Sequence, residues 1–124
     1  MEDSFDRMKR LCGLIALLAG LAVIGTAPAA LVHLVVTPGA VAPGALIRVG
    51  TTSSPCLPGD QITLISSVFR GHAFGEGAVY GRVGSHGAFT VKSRIRSALP
   101  AGRYEIGGRC GGGNLGVSVS LRVR

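Results

Sequence analysis

The chain has 124 residues, room for one domain beyond any targeting segment, and its six aromatic residues include no tryptophan, so its core must be largely aliphatic. Twenty glycines and six prolines with no G-X-Y period exclude collagen and argue for many turns between short strands. The formal charge is +7, and all of it falls after residue 30. Before that point three basic and three acidic residues cancel; beyond it ten basic residues, nine of them arginine, meet only Asp60, Glu76 and Glu105. Such a surface attracts polyanions in general and identifies none of them.

Met1 to Arg10 is polar, with Arg7, Lys9 and Arg10 next to an apolar run. Leu11 to Gly25 is uncharged and matches the h-region of a secretory leader, and Thr26-Ala27-Pro28-Ala29-Ala30 supplies the small residues of a cleavage site after Ala29. Residues 1–29 therefore read as a signal peptide and residues 30–124 as the exported domain. The rival is an uncleaved N-terminal anchor helix, because residues 11–32 carry no charge over a length that spans a bilayer. Both readings export the rest of the chain. Cys12 opens the apolar run instead of following it, which argues against lipoprotein processing.

Beyond the leader the pattern is one of strands. Leu31 to Thr37 is rich in β-branched residues and closed by Pro38-Gly39; Ala45 to Thr51 follows the Pro43-Gly44 turn. Gln61 to Phe69 follows Pro58-Gly59-Asp60, with Ile62 and Leu64 on one face. Arg70 to Gly77 has too many glycines for a strand and reads as a loop. Ala78 to Val83 is a short strand, and in Ala88 to Ile95 the residues Phe89, Val91 and Ile95 alternate with Thr90, Lys92 and Arg94. After Pro100-Ala101-Gly102, Tyr104, Ile106, Gly108 and Cys110 share one parity, and Gly111 to Asn114 is a turn. In the last strand Leu115, Val117, Val119, Leu121 and Val123 alternate with small or polar residues, which describes one dry and one wet face. No helical period competes after residue 30. Seven strands with a turn every eight to twelve residues predict an all-β sandwich of a size that suits an immunoglobulin-like domain; a small β-barrel is the alternative.

Cys12 leaves with the leader, so the exported domain keeps Cys56 and Cys110. An even cysteine count in an exported chain reads as a disulfide. In a seven-stranded sandwich the ends of the second and sixth strands lie at one end of the domain, within bridging reach. The competing readings are a metal site, which would want more ligands, and a reactive thiol pair, which usually has closer spacing.

Val41-Ala42-Pro43-Gly44, Cys56-Leu57-Pro58-Gly59, His86-Gly87-Ala88-Phe89, Leu99-Pro100-Ala101-Gly102-Arg103-Tyr104 and Cys110-Gly111-Gly112 occur in this order over nearly all of the exported segment. The set resembles the small exported immunoglobulin-like domains of actinobacteria. The resemblance implies a fold and an extracellular location, and no activity. Antibody-type domains place a tyrosine two residues before the second cysteine and a tryptophan against the disulfide; here Tyr104 lies six residues before Cys110 and tryptophan is absent. Copper-carrying periplasmic sandwiches share the Pro-x-Gly-x-Tyr turn but bring Met, Asp and His ligands that this sequence lacks at matching places.

Candidate chemistry is sparse. His33 reads as a strand residue, and a His72/Glu76/His86 zinc site lacks the paired short spacing of such sites. There is no G-x-S-x-G elbow, no Cys-His pairing that the spacing supports, no close pair of carboxylates, and no helix or lysine after Gly111-Gly112-Gly113 to make a phosphate loop. The reading is therefore not an enzyme and implies no cofactor. By parity Arg48, Arg82, Lys92, Arg94 and Arg96 point outward, and in this topology their strands would share a sheet and form a basic outer face for an anionic surface polymer. The bland counterpart is a solvated face that keeps the sheet soluble and its edges unpaired. No aromatic residues interleave with the arginines, which argues against specific nucleic-acid binding. The expectation is an all-β, seven-stranded immunoglobulin-like sandwich behind a signal or anchor helix, secreted or held in the cell envelope. Its expected role is a non-catalytic interaction module whose partner is an envelope protein or an anionic polymer, with membrane contact only through residues 11–32 if that helix is not cleaved; the alternative is a secreted polyanion- or small-ligand-binding protein using the basic outer face.

Overall fold

A computed structural model describes residues 32–73 and 75–124. The leader or anchor read over residues 1–29, and Cys12 within it, lie outside the described residues. Among those described, no helix is long and apolar enough to cross a membrane.

The fold is all-β, in two sheets. Its strands are β1 (Val35–Thr37), β2 (Ala40–Val41), β3 (Leu46–Thr51), β4 (Gln61–Ile65), β5 (Gly71–Ala73), β6 (Glu76–Arg82), β7 (Phe89–Arg94), β8 (Gly102–Cys110) and β9 (Gly113–Val123). A small sheet has the order β1-β3-β7, and a large one the order β2-β9-β8-β4-β6-β5. Within the described residues the expected seven strands are thus nine, for two local reasons. The first predicted strand ends at Pro38-Gly39 as β1, which pairs antiparallel with β3, and an unpredicted strand, β2, follows that turn and joins the other sheet parallel to β9. The segment expected to be a loop contains β5, which pairs with the start of β6 from Gly71↔Ala78 to Ala73↔Glu76. Glycines there leave the backbone free to pair even though they contribute no side-chain packing.

One core joins the sheets. Val36, Ile47, Val49, Phe89 and Val91 from the small sheet meet Val41, Ile62, Leu64, Ile106, Leu121 and Val123 from the large one in a single apolar cluster. These are the period-two positions of their strands, so alternation alone selects them. At Gly81 of β6 the layers come close together, since a Cβ there would stand 2.6 Å from Val91 Cγ2. A side chain at that position would push the two sheets apart, and glycine avoids the overlap.

At one end of the molecule the chain crosses from β3 in the small sheet to β4 in the large one, and Cys56 lies buried in that crossing. It is disulfide-bonded to Cys110 at the end of β8, with Cα atoms 5.9 Å apart. Ser54 reinforces the crossing: its hydroxyl donates to the Gly87 carbonyl (2.6 Å) and accepts from the Cys56 N–H (3.2 Å). The disulfide closes a sequence separation of 54. Replacing both cysteines with alanine is expected to lower unfolding stability by about 4 kcal/mol, the loop-closure entropy of such a span, read as a fall in the urea midpoint.

Candidate functional site

The expected basic face divides between two surfaces. Arg48, Lys92 and Arg94 are exposed on the outer side of the small sheet, with Arg48 directly opposite Lys92 and Arg94 opposite Leu46. Arg82 is not on that sheet. Its strand, β6, pairs with β4 over five positions from Gln61↔Arg82 to Ile65↔Ala78, so Arg82 faces outward from the large sheet and donates to the Gly59 carbonyl (3.1 Å). Arg96 has also left the small sheet. Its N–H donates to the Val68 carbonyl (2.9 Å) and its guanidinium to the Ser67 carbonyl (3.2 Å), which draw it over the β4–β5 connection.

That connection is one wall of an open groove of about 1430 Å³ across the outer face of the large sheet. The same alternation that turns Ile106 and Gly108 inward turns Arg103, Glu105, Gly107 and Arg109 outward on β8. Opposite them on β9 stand Arg122, Ser120, Ser118 and Asn114, in that order. Between Ser118 and Asn114 the β9 strand bulges around Gly116, whose φ of +75° is the left-handed conformation glycine accepts and whose N–H donates to Asn114 Oδ1 (2.8 Å). Gly107 and Gly116 leave the middle of this face without side chains. Arg70, Arg96, Arg103 and Arg109 line the groove against Glu76 and Glu105, an excess of two positive charges.

Glu105 in this face has a displaced titration. Hydroxyls of Ser120 and Ser118 (the latter at 3.0 Å) donate to its carboxylate and lower its pKa from the ordinary value of 4.5, with Arg103 nearby adding to the effect. Neither Arg70, Arg103 nor Arg109 belonged to the expected face, although the parity of β8 carried the signal for the last two.

The three histidines are dispersed. His72 and Glu76 lie in the β5–β6 hairpin, while His86 follows β6 at its far end, roughly 20 Å away for a strand of this length. Among the described residues no three His, Cys, Asp or Glu side chains form a group that could hold a metal ion. Among the described residues His86 is the non-glycine residue with a left-handed backbone, φ 59°, in a short 3-10 turn over Ser85–Gly87.

No family model matches the chain, and no curated protein does. Among solved structures it is similar to a Pseudomonas fluorescens alkylpurine DNA glycosylase, AlkC, bound to DNA containing an abasic site analogue. The identity is 20%, the TM-score 0.46, and the match covers 74% of this chain and 29% of that one. The chain thus spans less than a third of that protein's length.

A carboxylate whose pKa is lowered by folding stabilises the fold above its unfolded value, and the contribution is lost as pH falls through the folded value. NMR titration of Glu105 is expected to give a midpoint below 4.5, and Ser120→Ala with Ser118→Ala to bring it back toward that value. A midpoint unaffected by the serines would show that the hydroxyls do not hold the charge.

Proposed function

We propose that this chain is an exported, non-catalytic immunoglobulin-like module of the cell envelope or secreted fraction, joined by a disulfide and acting by binding. The observation that carries the reading is the Cys56–Cys110 disulfide. Such bonds persist in oxidising, extracytoplasmic compartments, and the N-terminal sequence reads independently as an export signal.

Two features support the immunoglobulin-like assignment. The orders β1-β3-β7 and β9-β8-β4 correspond to the A-B-E and G-F-C orders of such sandwiches. The Tyr104 hydroxyl, near the start of β8, donates to the Pro100 carbonyl four residues upstream (2.6 Å), in the manner of a tyrosine corner. The corner precedes the second cysteine by more than in antibody domains, so the likeness extends to the scaffold and not to antigen recognition.

A second reading, binding of anionic surface polymers, is favoured by Arg48 and Lys92. They are exposed and directly opposite each other, and like charges in that arrangement repel. A bound polyanion would relieve the repulsion.

Intact mass on protein from the native host, with and without thiol alkylation, tests the first reading. A secreted or envelope species beginning near Ala30, with both remaining cysteines inert to alkylation, is expected. Free thiols on a cytosolic species would sink it. For the second reading, the protein is expected to be retained on an anionic polymer matrix at low ionic strength and released by salt, and Arg48→Ser/Lys92→Ser/Arg94→Ser to elute earlier.

A further inference from the structure

We infer that the groove on the outer face of the large sheet is a binding site for an anionic glycan, a chain of sugars carrying carboxylate or sulfate groups. The inference rests on the anionic-ligand reading above and moves the centre of binding from the small sheet to the large one.

Four arginines from three parts of the chain converge on this groove. Arg70 comes from the β4–β5 connection, Arg96 from the segment after β7, and Arg103 and Arg109 from β8. Such convergence is a product of the tertiary fold, since residues 70, 96 and 109 share no strand pattern. Among the described residues Arg70 and Arg103 carry no side-chain hydrogen bond, and Arg103 stands directly opposite Arg122, a second like-charge pair. Arg96 is held in place through the Ser67 carbonyl, which leaves other guanidinium donors for a ligand. Guanidinium groups present a planar fork of donors that matches carboxylate and sulfate oxygens. Glu105 is charged too, but its oxygens already accept from Ser118 and Ser120, and Glu76 is the other carboxylate of the groove.

The floor explains why the ligand is a chain of sugars and not a single ion. Arg103 and Arg109 are six residues apart on β8, about 20 Å at strand rise, too far for one phosphate or sulfate to bridge. Between them Gly107 lies bare: a Cβ there would meet nothing closer than the Val117 carbonyl at 3.9 Å, and its backbone is outside the left-handed region. A side chain would fit there; Gly107 stands at the register shift of the β9 bulge, and its lack of a side chain leaves a stretch of backbone that a ligand can approach closely. The Ser67 hydroxyl and the Asn114 side-chain amide N–H groups add hydrogen-bonding groups suited to hydroxyl-rich ligands, Asn114 Oδ1 being taken by the Gly116 N–H. A nucleic acid would want a run of aromatic platforms for its bases; among the described residues lining the groove Phe69 is buried and Tyr104 packs against the core, which leaves His72 as the exposed ring.

The test is calorimetric titration of the whole protein with two short size-defined oligosaccharides, one sulfated and one of uronic acids, with a single-stranded oligonucleotide as competitor. Arg70→Ser/Arg96→Ser/Arg103→Ser is expected to weaken glycan binding at least about tenfold, because three charge-assisted contacts go. Arg48→Ser/Lys92→Ser/Arg94→Ser removes the same charge from the small sheet and is expected to change it less than about threefold. Gly107→Gln, which fills the floor without altering charge, is expected to abolish binding while leaving the melting temperature unchanged or raised. The tighter of the two sugars identifies the anionic group. Equal losses from both triple variants, full binding by Gly107→Gln, or equal competition by the oligonucleotide would overturn the inference. Absence of wild-type binding to glycans and to the anionic matrix alike would overturn the anionic-ligand reading itself; retention on the matrix without glycan binding would overturn the groove alone.

Discussion

The structure depends on the burial of β4. Ile62 and Leu64 are fully excluded from water, and their strand is hydrogen-bonded on both sides, to β6 and to β8. Those side chains share one apolar cluster with Ile47, Val49 and Val91 of the opposed small sheet. With no tryptophan and few aromatic residues to fill a wide gap, the layers must come close, and the Gly81–Val91 approach makes that possible. Each Leu or Ile brought into such a core contributes about 1.5–3 kcal/mol, so the central strand sets where the others can lie.

The outer face of the large sheet follows from the same strands. A β-strand that buries Ile106 must turn Glu105 and Gly107 the other way, so the core and the groove are two sides of one alternation. What distinguishes this face from an ordinary solvated one is its composition: arginines at the rim, bare glycine positions in the middle, and a glutamate engaged by two serines. The crossing at Cys56 sits at one end of the same sheet, with the disulfide tied to the end of β8. The strand that presents the groove is thereby anchored where it leaves the sheet.

Charge is distributed over both sheets. Arg48 and Lys92 oppose each other on the small sheet, and Arg103 and Arg122 on the large one. Repulsion at each site is modest in water and screened by salt beyond roughly 8–10 Å. On the large sheet such positive charge is combined with a concave surface, since Arg103 also lines the groove. Concavity matters because low-dielectric walls concentrate the field of the charges that line them.

Much of the scaffold is legible in the residues as they stand. Alternation in Phe89 to Ile95 and in Leu115 to Val123 marks strands and their inward faces; Cys56 and Cys110 are paired; and no helical period competes after residue 30. These are local properties, fixed by the two-residue repeat of an extended backbone or by simple counting. What alternation leaves open is which strand lies beside which. The outward parity of Arg82 is a local fact, but its place on the large sheet depends on β6 pairing with β4, and Arg96 leaves its sheet because of hydrogen bonds to Val68 and Ser67 nearly thirty residues away. The addition of β2 after Pro38-Gly39 and the pairing of β5 are likewise settled by partners that become neighbours only on folding. The sequence by itself determined the all-β class, the inward faces and the basic surplus. Tertiary structure alone decided the pairing order, and with it the meeting of Arg70, Arg96, Arg103 and Arg109 at one groove, because such contacts join residues far apart in the chain whose local patterns carry no record of each other.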